Sequence, residues 1–262
     1  MVKITYVTIT FNAAHCLERT LNSVLRLEYR HVEHIIVDGA STDNTLRMAE
    51  DYKTVSDNAD NGHTVKIISE PDNGLYDAMN KGLGAATGDY ICFLNAGDFL
   101  PKADLIDTII KNSRMEESVS QMWPGVIYGN TDIVDNNGNF IRHRRLSPPE
   151  KLSWRSFIHG MLVCHQAFYA RTDIARKFRY DMRYRYSADV DWCIRVMKEC
   201  ARLHLPLSNT HALLVCYTEE GQSTVHHTDS LKERYRVMSR HYGHIPTFLM
   251  HCWFALRQLL KR

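Results

Sequence analysis

Three carboxylates stand just beyond three apolar runs. Asp38 closes Ile35-Ile36-Val37, Asp72 follows Thr64–Ser69, and Asp98 follows Tyr90–Leu94 through Asn95-Ala96-Gly97. A carboxylate at a strand end can accept hydrogen bonds from a base N–H or a ribose hydroxyl. It can also hold a hard cation against phosphate oxygens. Each aspartate alone also suits a plain turn or helix cap. The usual phosphate-binding loops are missing: the chain has no GxxxxGK[ST], and no GxGxxG follows the first strand. A divalent metal is then the simplest way to neutralise a phosphate ligand. HExxH and GxSxG are absent as well, which argues against a zinc protease or a serine hydrolase.

The elements that must position these groups alternate over the first 100 residues. Lys3–Thr10, His34–Val37, Thr64–Ser69 and Tyr90–Leu94 read as strands. Ala14–Leu27, Thr42–Tyr52 and Asp77–Ala86 read as helices, with Ser41 or Thr42 capping the second. Such alternation predicts a doubly wound, mostly parallel α/β sheet with helices on both faces. Ligands of these sheets lie beyond the carboxyl ends of the strands, where Asp38, Asp72 and Asp98 fall. After residue 110 the pattern is weaker. Val126–Val134 and Leu213–Tyr217 suit strands, Asp135-Asn136-Asn137-Gly138 a hairpin turn, and Val190–Cys200 an amphipathic helix. Residues 220–230 read as a mobile polar loop, and Pro246–Arg262 as a helical tail.

Charge is unevenly spread along the 262 residues. Residues 1–110 carry 9 Lys/Arg against 16 Asp/Glu, and residues 139–198 carry 13 against 5. The acidic first half argues against a nucleic-acid partner. The basic second half suits an anionic partner or a membrane surface. Seven scattered cysteines with no CxxC suit reduced thiols rather than a disulfide framework, which points to the cytoplasm. No signal peptide is expected, and no 18-residue apolar run is present.

Taken together and in order, these segments resemble the family-2 glycosyltransferases, inverting enzymes of the GT-A fold. Val7-Thr8-Ile9-Thr10-Phe11-Asn12 is similar to that family's first-strand motif. Ile36 to Thr45 resembles its base-binding strand and loop, and Ser69 to Gly82 the segment that closes over the nucleotide. Gly88 to Asp98 resembles the strand that leads to the metal motif. The resemblance is dense over residues 3–100 and sparser to about 225. It implies that Thr10, Phe11, Asp38, Asp72, Lys81 and Asn95 contact the nucleotide. It further implies that Asp98 holds Mn²⁺ or Mg²⁺. Many members have Asp-x-Asp at this turn, whereas Asn95-Ala96-Gly97-Asp98 carries one carboxylate.

Tyr186-Ser187-Ala188-Asp189-Val190-Asp191-Trp192 resembles the family's acidic motif at a helix start, which makes Asp189 the expected base. A helix N-terminus favours a charged carboxylate, and a charged carboxylate can take a proton from a hydroxyl. The resemblance places Tyr76, His165, Gln166, Asp191 and Trp192 about the substrates. It leaves His226 or His227 to complete the metal site, His226 being the residue expected here. Arg142-His143-Arg144-Arg145 could meet a pyrophosphate-lipid acceptor or be a solvated face.

The expected activity is transfer of a sugar from a nucleotide-diphosphate sugar, most simply a UDP-sugar. The acceptor would be a hydroxyl of a saccharide or lipid-linked saccharide in surface-polysaccharide synthesis. The alternative is a non-catalytic nucleotide-sugar or membrane-binding module. A sugar-phosphate nucleotidyltransferase is disfavoured, because Asn12-Ala13-Ala14-His15 is not a glycine-rich basic loop. The expected division is a nucleotide-sugar half (1–110), an acceptor half (111–230) and a helical tail (231–262). That tail, aromatic and ending in Lys261-Arg262, suits peripheral membrane contact or a homodimer interface.

Overall fold

The computed structural model describes residues 1–115, 119, 122–219 and 227–259. An eight-stranded sheet runs through the described residues. Its strands are β1 (Ile4–Thr10), β2 (Val32–Asp38), β3 (Thr64–Ser69), β4 (Tyr90–Phe93), β5 (Val126–Val134), β6 (Phe140–His143), β7 (Phe168–Arg171) and β8 (Leu207–Thr218). The order is β3-β2-β1-β4-β7-β5-β6, with β8 also paired to β5. β1 to β4 are mutually parallel, and β7 enters antiparallel between β4 and β5. The mostly parallel α/β expectation holds for the first half, and an antiparallel extension continues the sheet.

Central position explains composition. Every residue of β1 (ITYVTIT) and β2 (VEHIIVD) is buried, as expected for parallel strands covered on both faces. β3 lies at the edge, and its polar residues are exposed. The winding reverses between β1 and β4, so a crevice opens beyond their carboxyl ends. β5 and β8 are parallel to each other and run in the same sense as β4, so their carboxyl ends reach the same rim.

The helices are α1 (Leu17–Leu25), α2 (Thr45–Asn58), α3 (Leu75–Ala85), α4 (Leu105–Asn112), α5 (Thr172–Ala175), α6 (Ala188–Arg202), α7 (His227–Tyr242) and α8 (His244–Leu259). α1 buries Leu17, Leu21 and Val24 on one stripe. An aromatic column joins α3, α6 and β4. Tyr180 stacks between Tyr76 and Trp192, with ring centroids 5.5 and 5.1 Å away, and Phe93 meets Tyr180 and Trp192 edge-on.

Several expectations are corrected here. The α2 N-cap is Asn44, because the Ser41 hydroxyl turns instead to Asp38. α4, β6 and β7 were not expected from the sequence, and α7 falls mostly within the helical tail expected over 231–262. β6 is exposed at all four residues and so shows no alternation, and β7 is only four residues long. Residues 220–226 lie outside the described residues, while 227–230 begin α7 rather than a loop. The expected boundary at residue 230 therefore falls inside a helix that is tied to the second half. The Glu233 carboxylate accepts the backbone N–H groups of Arg185 and Tyr186, and His241 meets Asp191 at 2.7 Å.

Glu233 holds the segment that leads into α6. Glu233→Ala leaves two amides without that acceptor, at a cost of about 1–3 kcal/mol each if they stay buried. Urea unfolding should show the loss, and an unchanged midpoint would mean that water replaces the carboxylate freely.

Candidate functional site

Thr10 ends β1 and Asp38 ends β2, side by side in register. Asp38 is fully buried and spends its oxygens internally. Thr10 Oγ1 donates at 3.2 Å, the Ser41 backbone N–H at 3.0 Å and Ser69 Oγ at 2.9 Å, with Ser41 Oγ as a fourth donor. Asp38 thus fixes the loops after β2 and β3 and presents no open oxygen. Those loops frame a shelf. The Phe11 ring is 65% exposed, and Asp72 reaches so close to Gly39 that a Cβ there would stand 2.5 Å from Asp72 Oδ2. Asn12 and Ala40 adopt left-handed backbone (φ 49° and 60°), held by Thr42 N–H donating to Asn12 Oδ1 at 2.9 Å. Lys81 does not reach this shelf with a free ammonium: it donates to Pro71 O at 2.7 Å and pairs with Glu70 at 3.0 Å.

The turn after β4 carries Asn95 and Asp98. Gly97 takes φ 95° there, a conformation that costs a side chain dearly. Asp98 is 3% exposed. Gln166 Nε2 donates to its Oδ2 at 2.7 Å, and the Thr218 backbone N–H to its Oδ1 at 2.9 Å. Burial prevails over these bonds and pushes the Asp98 carboxyl up to about 6. The Arg19 guanidinium donates to Gly97 O at 2.9 Å, and Thr20 Oγ1 to Asp98 O at 2.7 Å, so α1 braces the turn. Neither contact has a signal in the sequence.

A second carboxylate opens α6. Asp189 keeps 15% of its side-chain surface open. Tyr76 Oη donates to its Oδ1 at 3.1 Å, and His165 Nδ1 lies 3.4 Å from its Oδ2. Burial alone would raise this carboxyl. The His165 hydrogen bond and charge, with the Val190 amide and Arg234, outweigh burial and hold it below the ordinary aspartate value. Tyr76 is pushed well above its ordinary value by burial and by the charge on Asp189, so it remains a donor.

One short turn ties the two carboxylates together. In Cys164-His165-Gln166, Gln166 holds Asp98 and His165 faces Asp189, while His165 Nε2 lies 3.3 Å from Asn95 Nδ2. Cys164 Sγ donates to Gln166 Oε1, which fixes the amide so that its N–H groups face Asp98. Among the described residues the buried Asn95 Oδ1 has no hydrogen-bond partner.

The structure therefore brings together Tyr76, Asn95, Asp98, His165, Gln166 and Asp189. It sets Asp191 and Trp192 apart, as a correction to their expected substrate contacts. Asp191 is fully buried between Arg195 and His241, each at 2.7 Å, and Trp192 is 1% exposed in the aromatic column. Helical spacing turns these two toward the core when Asp189 faces the rim. His226 lies outside the described residues, and of His227 only the backbone is described, at the start of α7.

The His165 contact carries a test. His165→Gln removes the imidazole that most lowers the Asp189 carboxyl, so that carboxyl should titrate higher than in the wild type. A depressed carboxyl stabilises the fold above its unfolded value and loses that contribution as pH falls, so the variant should also lose less stability on acidification. Carboxyl-carbon NMR titration reads the first effect, and an unchanged midpoint contradicts the pairing.

Comparison with known proteins follows the same lines. The family model described as Glycosyl transferase family 2 matches residues 5–178. A PGL/p-HBAD biosynthesis glycosyltransferase of Mycobacterium bovis (strain BCG / Pasteur 1173P2) is 33% identical over 215 residues, which are 81% of this chain and 75% of the relative. The amylovoran biosynthesis glycosyltransferase AmsB of Erwinia amylovora is 29% identical over 208 residues, or 77% and 67% of the two chains. S. aureus TarS 1–349 in complex with UDP-GlcNAc is similar in fold, with a TM-score of 0.68 at 17% identity over 90% of this chain; the chain spans 64% of that protein. The mannosyltransferase PcManGT of Pyrobaculum calidifontis, in complex with GDP-Man and Mn²⁺, gives 0.62 at 15% identity over 95% of this chain and 68% of its own. Sheet order, motif positions and these likenesses agree that the chain belongs to glycosyltransferase family 2 and has the GT-A fold.

Proposed function

We propose that the chain moves a sugar from a nucleotide-diphosphate sugar, most simply a UDP-sugar, to a hydroxyl of a saccharide or lipid-linked saccharide, with inversion at the anomeric carbon. The observation that carries this reading is Asp189: a carboxylate kept charged at the open rim by His165 and hydrogen-bonded by Tyr76, one turn away from the Asp98 side of the crevice. The relatives' roles in PGL/p-HBAD and amylovoran biosynthesis, and the UDP-GlcNAc bound to TarS, support the substrate classes.

Each group has a task in this reading. The exposed Phe11 ring stacks on the base, and Thr10 with Asp38 holds the loop below it. Asp72 meets a ribose hydroxyl, and Lys81 anchors the segment before α3. Asp189 takes the proton of the acceptor hydroxyl as it attacks opposite the leaving diphosphate. Tyr76 and His165 orient that carboxylate, and Gln166 keeps Asp98 in place. Direct displacement inverts the centre and needs no covalent enzyme intermediate.

The donor set fits a divalent cation in one way only. Among the described residues no three His, Cys, Asp or Glu side chains converge to hold a metal. Burial at Asp98 outweighs the Thr218 and Gln166 hydrogen bonds and the charges of His165 and Arg19, and among the described residues Asn95 Oδ1 of the same turn is an unpartnered buried acceptor. These two oxygens suit Mg²⁺ or Mn²⁺ that takes its other ligands from diphosphate and water, as Mg²⁺ commonly does. His226 is the further expected ligand. A bound cation would offset charge on the leaving diphosphate.

A peripheral membrane contact is part of the proposal. Among the described residues no helix is long and apolar enough to cross a membrane. Yet α8 exposes Ile245, Phe248, Leu249, Trp253 and Leu256, which recur along one stripe, and Thr247 is buried on another face. This arrangement suits a helix lying in the interface beside a cytoplasmic catalytic domain.

Three outcomes are expected. Asp189→Asn keeps shape but cannot accept a proton at neutral pH, so donor binding should stay near wild type while transfer falls about 10²–10⁴-fold. Full transfer by that variant would remove Asp189 as the base. Asp98→Asn preserves the cavity but removes the charge, and calorimetry should show UDP affinity becoming insensitive to Mn²⁺; an unchanged Mn²⁺ dependence refutes the cation assignment. Phe248→Glu with Leu249→Glu should abolish sedimentation with anionic vesicles. If vesicle binding persists, or if a dimer dissociates instead, the stripe meets another surface.

A further inference from the structure

A cavity of about 370 Å³ lies at the carboxyl rim beside the Cys164–Gln166 turn, on the β5 side. Its size falls in the range of about 300–1,000 Å³ common for small-molecule sites. The middle and second half of β5 supply Asn130 and Asp132, the end of β6 supplies His143, and Leu162 and Leu213 add apolar wall. Asp132 Oδ1 lies 2.7 Å from His143 Nδ1, and among the described residues Oδ2 has no protein partner. Asn130 donates its amide to His211 O at 3.2 Å, which leaves its carbonyl oxygen as an acceptor.

The charge around this cavity favours a neutral ligand. Arg144 lines it, but its guanidinium is turned on the protein itself. Nη1 donates to Leu146 O and Leu162 O at 2.7 and 3.2 Å, and Nη2 to Met161 O at 2.6 Å. Arg142 is drawn away to Glu219 at 2.7 Å. A phosphate site would need the open guanidinium fork that neither residue offers. What remains is a half-covered carboxylate, an imidazole, an amide oxygen and flat apolar wall. That set accepts hydroxyl hydrogens and packs against C–H faces, which is the chemistry of a sugar ring.

The cavity is joined to the reaction centre through Cys164. Cys164 forms part of its wall, its thiol bonds Gln166, and the next residue is His165 against Asp189. Asp98 and Asp189 both lie near enough to Cys164 to act on its thiol. We propose that this cavity is a saccharide subsite that holds a non-reacting, uncharged sugar of the acceptor, with Asp132 and His143 as its specificity residues. This deepens the proposed function and rests on it for the word acceptor. It also places the Arg142–Arg145 segment as a structural wall rather than a pyrophosphate clamp.

The test needs neither donor nor turnover. Saturation-transfer NMR is run with the methyl glycosides of glucose, galactose, mannose and rhamnose, on wild type, Asp132→Ala and His143→Ala, each first shown by thermal melting to be folded. Inorganic pyrophosphate is the anionic probe. At least one glycoside should give a signal that falls fivefold or more in both variants, with pyrophosphate unable to displace it. No glycoside signal dependent on Asp132 or His143, or displacement of the glycoside by pyrophosphate, overturns the proposal. Because no sugar is transferred, failure here leaves the Asp189 assignment standing, and failure of Asp189→Asn to lose transfer leaves this result standing.

Discussion

The hydrogen bonds made by Cys164-His165-Gln166 hold the site in one geometry. Gln166 gives its amide N–H to Asp98 and takes the Cys164 thiol on its carbonyl oxygen. Its own backbone carbonyl accepts the Cys92 thiol of β4 at 3.2 Å, so the turn is also fastened to the central sheet. His165 reaches Asp189 on one side and Asn95 on the other. Two acidic groups from distant parts of the chain are thereby fixed by three consecutive residues. A shift of this turn would disturb both ends of the crevice together.

Environment then gives the two carboxylates different characters. Asp98 is enclosed and bonded mainly to neutral donors, so burial dominates and its carboxyl is pushed up to about 6. Asp189 is partly open and faces the His165 imidazole, which with the Val190 amide and Arg234 outweighs burial and holds it below its ordinary value. Separation of two acids by environment is a recurring way to give them separate tasks. Around them, the Tyr76–Tyr180–Trp192 column sets the height of Tyr76 against Asp189. Glu233 of α7 holds the entry to α6 from the opposite side.

Much of this was legible in the sequence, for physical reasons. Strands buried on both faces leave continuous runs of Ile, Val and Thr, so β1, β2 and β4 stood out, and turn residues after them marked the crevice. The place of Asp189 at a helix start could be read locally, while its role as base is what the family resemblance implies. The sequence was silent where a contact spans the chain. Nothing near Asp98 announces Gln166 or the Thr218 N–H, and nothing near Asp38 announces Ser69. The fully exposed β6 and the four-residue β7 carry too little periodicity to be read. Asp191 and Trp192 shared a motif with Asp189, but a motif does not say which way each side chain turns on a helix. Their burial is settled by the packing of α6 against α7 and the aromatic column.

The most direct test is a structure of the protein with a non-hydrolysable nucleotide-diphosphate sugar and a saccharide acceptor. The account predicts the nucleotide against Phe11 and the loops held by Asp38, with the diphosphate on the Asp98 side. It predicts an acceptor hydroxyl within about 2.6–3.2 Å of an Asp189 oxygen. That hydroxyl should lie on the face of the anomeric carbon opposite the diphosphate. An acceptor on the same face as the diphosphate, or out of reach of Asp189, would contradict both the base and the inverting displacement.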